Sequence, residues 1–391
     1  MRGMFNLGRD NTLMWWSLLL WGLGDGLFLY IQPLYIKSLG ANPTDIGLTL
    51  GISSAATILS YLPAGLLSDR TSRRKNLLWG WGMGAMGSLL MAIAPDWRWL
   101  IPALVVFRLS GFIMPALQSY VLAASQSGDI KRAYTLVMTA WSIGTVPSPL
   151  IGGWIGQTWG LRTIYLVATA LYVLSTIVMF FLTEQPVPTP SSRGNYRAVL
   201  RNRRFMVLCL AFTLILGVFY LGLSFMPNYL EEVVGLNVET IGGLGVAGSL
   251  GASLLGIALS SSRIPRRSGV ILSQGALLAS FLILLYAPTL ALLVVAFFLR
   301  GGNAAGGSLL ATWLGETLDE ETMGRGFGVY NTVYSIGLTV TPYLAGWLYE
   351  VRPALPFLLA TALLIPTLVL VLLLPPAKAP SPTPARVVTH K

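Results

Sequence analysis

The chain has 391 residues, of which 54% are hydrophobic and only 10% charged, with a formal net charge of +11. Soluble domains carry about 25% charged residues, so a mean hydropathy of +0.69 excludes one buried core under a water-facing shell and places the chain in the membrane class. The basic excess does not read as nucleic-acid binding, because the lysines and arginines lie in short loops between apolar runs rather than along one face.

Twelve apolar segments follow in chain order, at about 12–36, 45–67, 77–95, 99–124, 133–157, 161–183, 205–230, 240–261, 268–286, 289–314, 326–349 and 354–374. Each can cross about 30 Å of hydrocarbon at about 1.5 Å per residue. Lipid offers backbone groups no partner, so these runs are expected to be helices; a barrel would alternate over segments of about ten residues. The first run is too long for the apolar region of a cleavable leader, and none is expected. Cys209 is the single cysteine, so no internal disulfide can form, and its apolar run points to a buried structural thiol. The single histidine, His390, is penultimate, leaving the spans without His-based catalysis or ligation. No metal and no cofactor is expected.

With a cytoplasmic amino terminus, the inner side receives Arg2, Arg9, the cluster 70–75, Lys131, Arg132, the arginines of 193–204, Arg263, Arg266, Arg267 and Arg325. The outer side receives Lys37, Arg98, Arg162 and Arg352. The positive-inside rule then gives a multi-pass protein of the plasma (inner) membrane with both termini cytoplasmic. Trp15, Trp16, Trp79 and Trp313 fit an inner aromatic belt, and Trp97, Trp99, Trp154, Trp159 and Trp347 an outer one.

"EQPVPTPSSRGNYRAVLRNRR", Glu184–Arg204, is Pro/Ser-rich and then basic. It reads as a cytoplasmic linker, with a short helix resting on anionic headgroups. The expected organisation is a six-helix bundle over 1–183, the linker 184–204, a second six-helix bundle over 205–375 and a disordered Pro-rich cytoplasmic tail over 376–391.

The halves repeat. "RAYTLVMTAWSIG" (Arg132–Gly144) aligns with "RGFGVYNTVYSIG" (Arg325–Gly337) at an offset of 193, and "SPLIGGW" from Ser148 with "TPYLAGW" from Thr341 at the same offset. "FRLSG" at Phe107 meets "LRGGN" at Leu299. Two homologous bundles packed face to face would enclose a site near the bilayer midplane.

Gly65-Leu-Leu-Ser-Asp69-Arg70-Thr-Ser-Arg73-Arg74-Lys75 resembles the loop 2–3 signature of the major facilitator superfamily, G-x-L-x-D-R-x-G-R-R/K, with Ser72 for the second glycine. Arg108 resembles the superfamily's helix-4 arginine. Gly144, Pro149, Gly152 and Gly153 resemble the helix-5 antiporter signature G-x-x-x-G-P-x-x-G-G, with Ser148 for its second glycine and Pro147 as an added proline. The resemblance covers the whole chain and implies an all-α membrane protein: twelve transmembrane helices in two pseudo-symmetric six-helix bundles. It also implies secondary transport by alternating access, like the drug/proton antiporters. The basic loop residues anchor orientation. Asp69 can dock on the amino terminus of helix 11, near Met323–Arg325, and lock the halves on the cytoplasmic side; the resemblance implies the same role. The glycines and prolines of helix 5 permit close packing and a bend.

Asp25, Arg108 and Arg300 are ionisable residues deep inside spans, where a charge costs at least about 2.5–3.5 kcal/mol and function is the default reading. Asp25 and Arg108 belong to one half and can pair, structurally or as a proton site. Arg300 has no equivalent partner, which favours an anionic or zwitterionic solute over a bare cation. Helical spacing adds Gln32, Asn303, Tyr220, Asn228, Asn331, Tyr334 and Trp141 as candidate lining. No catalytic cluster and no phosphate-cradling Gly-Lys-Ser/Thr loop is evident, so neither an enzyme nor an ATP-driven pump is expected. The reading is proton-coupled export of small amphiphilic compounds, with a metabolite or organic-anion symporter or uniporter as the alternative. The expected partners are membrane lipids, protons and a small-molecule substrate, with the protein a monomer.

Overall fold

The computed structural model describes residues 7–68, 72–125, 130–185, 196–261, 264–318 and 320–374. Asp69, Arg70 and the tail 376–391 lie outside them. Among the described residues the structure is helical, without strands. Helix occupies each of the twelve predicted segments. In order these are α1 Arg9–Phe28 with α2 Gln32–Ser38, α3 Pro43–Ser68, α4 Arg73–Ile93, α5 Trp97–Leu109 with α6 Met114–Ala124, α7 Ile130–Thr145 with α8 Ser148–Trp159, and α9 Leu161–Phe180. The linker forms the short α10, Tyr196–Arg201. The second half has α11 Arg203–Leu223 with α12 Met226–Glu232, α13 Val238–Leu259, α14 Arg266–Tyr286, α15 Leu290–Arg300 with α16 Gly302–Gly315, α17 Glu320–Val351 and α18 Leu355–Leu373. By length and composition, 7 spans, namely α5 with α6, α9, α11 with α12, α13, α14, α15 with α16, and α18, or up to 8 with the bent pair α1/α2, can each cross a membrane.

Five of the predicted spans are interrupted locally, but α5 with α6, α11 with α12 and α15 with α16 each still run on as one span. α1 and α2 meet at 53°. Pro33, Pro149 and Pro227 each sit in the first turn of a second segment. There a proline's missing N–H would be unpaired anyway, whereas in mid-helix it removes a bond. Pro33 and Pro227 are repeat-related, but α11 and α12 run on as one span, so among the described residues the sharp bend belongs to the first half. The α15/α16 interruption falls at Gly301.

In the first half α1 packs on α7 and α9, and α4 on α9; in the second α11 packs on α17 and α18, and α14 on α16. The halves meet along α3–α17 and α8–α13, with α2 touching α12. At the end of the bundle carrying Lys37, the lysine Nζ donates to Glu231 at 2.6 Å and lies 2.7 Å from Glu232, across the halves. Thr44 donates to Glu350 at the same end.

The opposite end repeats a cap. Arg74 Nη2 donates to the carbonyl of Phe180 at 2.7 Å, and Arg267 Nη2 to that of Leu374. The two arginines stand 193 residues apart. Each holds the carboxy-terminal carbonyls of its half's last helix, where a cation also meets the negative end of the helix dipole.

Large apolar side chains such as Leu214, Ile257 and Leu373 face outward, as lipid contact requires. The tryptophan belts need one correction. Trp16, Trp79, Trp99, Trp154, Trp159 and Trp347 are exposed, but Trp15 and Trp313 are buried. Trp15 packs among Leu18, Leu77 and Trp81, and Trp313 stacks beside Phe212, so both are core residues.

Candidate functional site

A cavity of about 580 Å³ lies between the halves. The first half supplies Tyr30, Gln32, Ser53, Ser54, Arg108, Trp141 and Thr145; the second supplies Tyr220, Ser224, Ser249, Ser253, Arg300 and Asn303. No aspartate, glutamate or lysine is among the described lining residues.

Both arginines sit beside a short irregularity within a continuous span. Arg108 is in the last turn of α5, before a 3-10 turn at Ser110–Ile113, and Arg300 ends α15. The Arg300 guanidinium lies 4.4 Å over the ring of Tyr30 and 5.5 Å from that of Phe297. Its Nη1 is buried with no hydrogen-bond partner. Tyr30 lies in the break between α1 and α2, and its hydroxyl is 3.4 Å from that of Ser249. The ring fits because Gly245 and Gly248 lack side chains: a Cβ at either would come within 2.7 Å of it.

Asp25 stands one side chain behind the wall. Its Oδ1 accepts a hydrogen bond from the Tyr172 hydroxyl at 2.6 Å, and its Oδ2 one from Trp141 Nε1 at 2.9 Å. Trp141 lines the cavity, while Tyr172 is fully buried against Trp21 and Phe107. The Asp25–Arg108 ion pair that the sequence allows is not formed. Both carboxylate oxygens already face donors on α7 and α9, and Arg108 turns into the cavity.

Of the other sequence candidates, Gln32, Trp141, Tyr220 and Asn303 line the cavity with the two arginines. Asn228 does not; it is buried, with neither amide atom hydrogen-bonded. The i, i+4 face of Tyr220 and Ser224 stops at the interruption before α12, and Asn228 repeats Leu34, a fully packed position. Asn331 and Tyr334 on α17 also lie outside the lining, and Tyr334 stacks on Tyr330 at 5.9 Å. In the loop signature, Gly65 falls within α3, Arg73 opens α4, and Arg74 is engaged as a helix cap.

The helix-5 residues work in two directions. A Cβ on Gly144 would meet the Leu19 carbonyl and Leu23 nitrogen at 2.6 Å, and one on Gly152 would collide with the Leu27 carbonyl, so this edge packs on α1. A Cβ on Gly153 would meet Gly242 and the carbonyl of Val238 within 3.0 Å, and one on Gly242 would collide with the Pro149 carbonyl. That edge faces the other half. Pro147 caps α8 at the kink, and Ser148 donates to the Gly144 carbonyl across it.

Tyr30 and Tyr172 are functional candidates that the sequence did not single out. Their one signal is indirect: a deep carboxylate needs donors, and a deep guanidinium needs an electron-rich partner.

The sequence matches the Major Facilitator Superfamily over residues 14–268 and 249–390, and the chain belongs to that superfamily. It is 30% identical over 222 residues to a protein of Proteus mirabilis (strain HI4320) named Multidrug resistance protein MdtG, covering 53% of this chain and 54% of that one. The chain thus matches about half the length of that relative. A protein of the same name from Salmonella choleraesuis (strain SC-B67) is 28% identical over 272 residues, covering 64% and 67% of the two chains. The crystal structure of the nucleoside transporter NupG superposes with a TM-score of 0.77 at 14% identity, covering 93% of this chain and 98% of that one, which establishes a shared fold.

Proposed function

We propose that the chain is a secondary transporter that exports small amphiphilic compounds in exchange for protons by alternating access, as a monomer in the inner membrane. The observation that carries the reading is a cavity walled by both halves with a carboxylate one hydrogen bond behind it. Membership of the superfamily and the names of the two curated relatives support it.

Trp141 links the two events. Its ring forms cavity wall and its N–H holds Asp25. Protonation of Asp25 removes the charge that its two donors satisfy and loosens that bond, and a solute packing on the indole acts on the same bond from the other side. Proton binding and solute binding then change each other's affinity through one shared contact. The motion passes to the other half across the glycine edges of α8 and α13. The positive-inside rule puts the Lys37 end outside, so the cross-half contacts of Lys37 and Thr44 fasten the outer side of an inward-facing state. Asp69, at the inner side, would fasten the outward-facing one. The two bundles, 1–183 and 205–375, are then the rocking bodies and the linker 184–204 their tether.

The test is flux in proteoliposomes under an imposed pH gradient. Asp25→Asn is expected to abolish gradient-driven transport and to leave solute exchange at equal pH intact. Gradient-driven transport persisting in the variant would refute the proton role.

A further inference from the structure

We infer that the cavity holds an anionic head group, a carboxylate, sulfonate or phosphonate, between Arg108 and Arg300, with the apolar body of the solute against Tyr30 and Trp141. The inference rests on the transport reading for its purpose, and on charge accounting for its chemistry.

The two guanidinium groups come from opposite halves and share one chamber. Guanidinium stays protonated under all ordinary conditions, so the chamber carries two positive charges. Among the described residues the acid nearest the chamber is Asp25, which sits behind Trp141 within electrostatic reach of Arg108. Asp25 accepts from Tyr172 and Trp141 and forms no ion pair with Arg108. Glu231 and Glu232 meet Lys37, Glu350 meets Thr44, and Glu316 pairs with Arg266. Two guanidinium groups in the wall therefore stand against one carboxylate behind it, which leaves the chamber net positive, and uncompensated charge at this depth is costly. A bound cation would add to the imbalance; a bound anion removes it.

Geometry points the same way. Tyr30 covers one face of the Arg300 guanidinium at 4.4 Å and fixes its plane, while Nη1 is left without an acceptor. A planar fork with spare donors matches a carboxylate or sulfonate. Arg108 adds charge from the facing half, with no hydrogen-bonded partner among the described residues. The remaining polar lining is neutral, so it orients the ligand without cancelling the attraction. A volume of about 580 Å³ suits a small molecule rather than an inorganic ion alone.

The test uses three isosteric probes on the full chain in nanodiscs: naphthalene-2-sulfonate, naphthalene-2-sulfonamide and 2-naphthyltrimethylammonium. The sulfonate keeps its charge at every working pH. Titration calorimetry on the unaltered protein should show the sulfonate binding at least tenfold more tightly than the cation, a factor worth about 1.4 kcal/mol. Arg300→Gln and Arg108→Gln should each weaken the sulfonate about tenfold and leave the neutral sulfonamide within about twofold. Equal or tighter binding of the cation, no sulfonate binding at millimolar concentration, or variants that weaken all three probes alike would overturn the inference. The comparison on the unaltered protein needs no variant to fold. Flux separates the two readings: a protein that carries the naphthyl cation and ignores the sulfonate loses this inference and keeps transport, while one that binds the sulfonate without carrying any solute does the reverse.

Discussion

Where the first half places Asp25, with Tyr172 and Trp141 donating to it, the second half places Phe219 and Tyr220. Phe219 is fully buried in apolar packing. The repeat mate of Trp141 is Tyr334, outside the cavity, and in the last span, where "VATAL" at Val167 aligns with "LATAL" at Leu359, the fully buried Leu364 stands in the place of Tyr172. All the parts of the carboxylate site are missing together. The arginines, by contrast, recur: Arg108 and Arg300 at the cavity, Arg74 and Arg267 as helix caps. A duplicated membrane bundle keeps what holds each copy together and lets the chamber chemistry diverge. A deep carboxylate belongs to one copy only, whereas cationic charge is contributed by both.

Removing one donor to Asp25 should break this asymmetry most strongly. Leaving a charged group short of a hydrogen bond costs about 1.5–3 kcal/mol, so Trp141→Phe or Tyr172→Phe should slow gradient-driven flux on the order of tenfold to a hundredfold. Tyr334→Phe, its ring stacking retained, should stay within about twofold. Initial rates in proteoliposomes at matched reconstitution decide this, and equal losses on both sides would remove the distinction between the halves.

A smaller effect separates the repeat-related glycines. A methyl on Gly144 meets backbone of α1, whereas one on Gly337 meets the Thr213 methyl, a side-chain atom. Gly144→Ala should therefore cost about 2 kcal/mol by overpacking. Gly337→Ala should cost less, because the Thr213 methyl that it meets at 2.5 Å is a side-chain atom that can give way where main chain cannot. Thermal unfolding in detergent reads the difference as a larger drop in Tm for the first.

The smallest effect should be symmetrical. Arg74→Gln and Arg267→Gln each remove a carbonyl cap and a favourable dipole interaction, about 0.5–1 kcal/mol apiece, and should lower Tm equally. A large loss of transport in Arg74→Gln at unchanged Tm would instead assign that residue to gating.

The architecture was legible in the sequence because lipid imposes one rule, that each span satisfies its own backbone. Segment positions, the linker helix and the repeat all follow from hydropathy and offset. So did the two arginines, since few reasons exist to place a charge so deep. Interruptions within spans were harder to read. Pro33 and Pro227 marked two of them, but hydropathy runs on through both. The missed interruption before α12 is what misplaced Asn228. Asp25's partners were not legible, because Tyr172 is 147 residues away and nothing local distinguishes it from other aromatics in apolar runs. A reading by charge alone paired the acid with Arg108, where the fold supplied neutral donors.

Where α8 crosses α13, Gly153 and Gly242 leave main chain lying on main chain. Hydrocarbon solvent gives no hydrophobic push to hold such faces together. Their cohesion comes from dispersion and weak Cα–H···O contacts, each under about 1 kcal/mol. Under the proposed transport cycle such a seam would serve as a plain bearing rather than a gear: with no teeth to disengage, one lobe would tilt on the other in small steps.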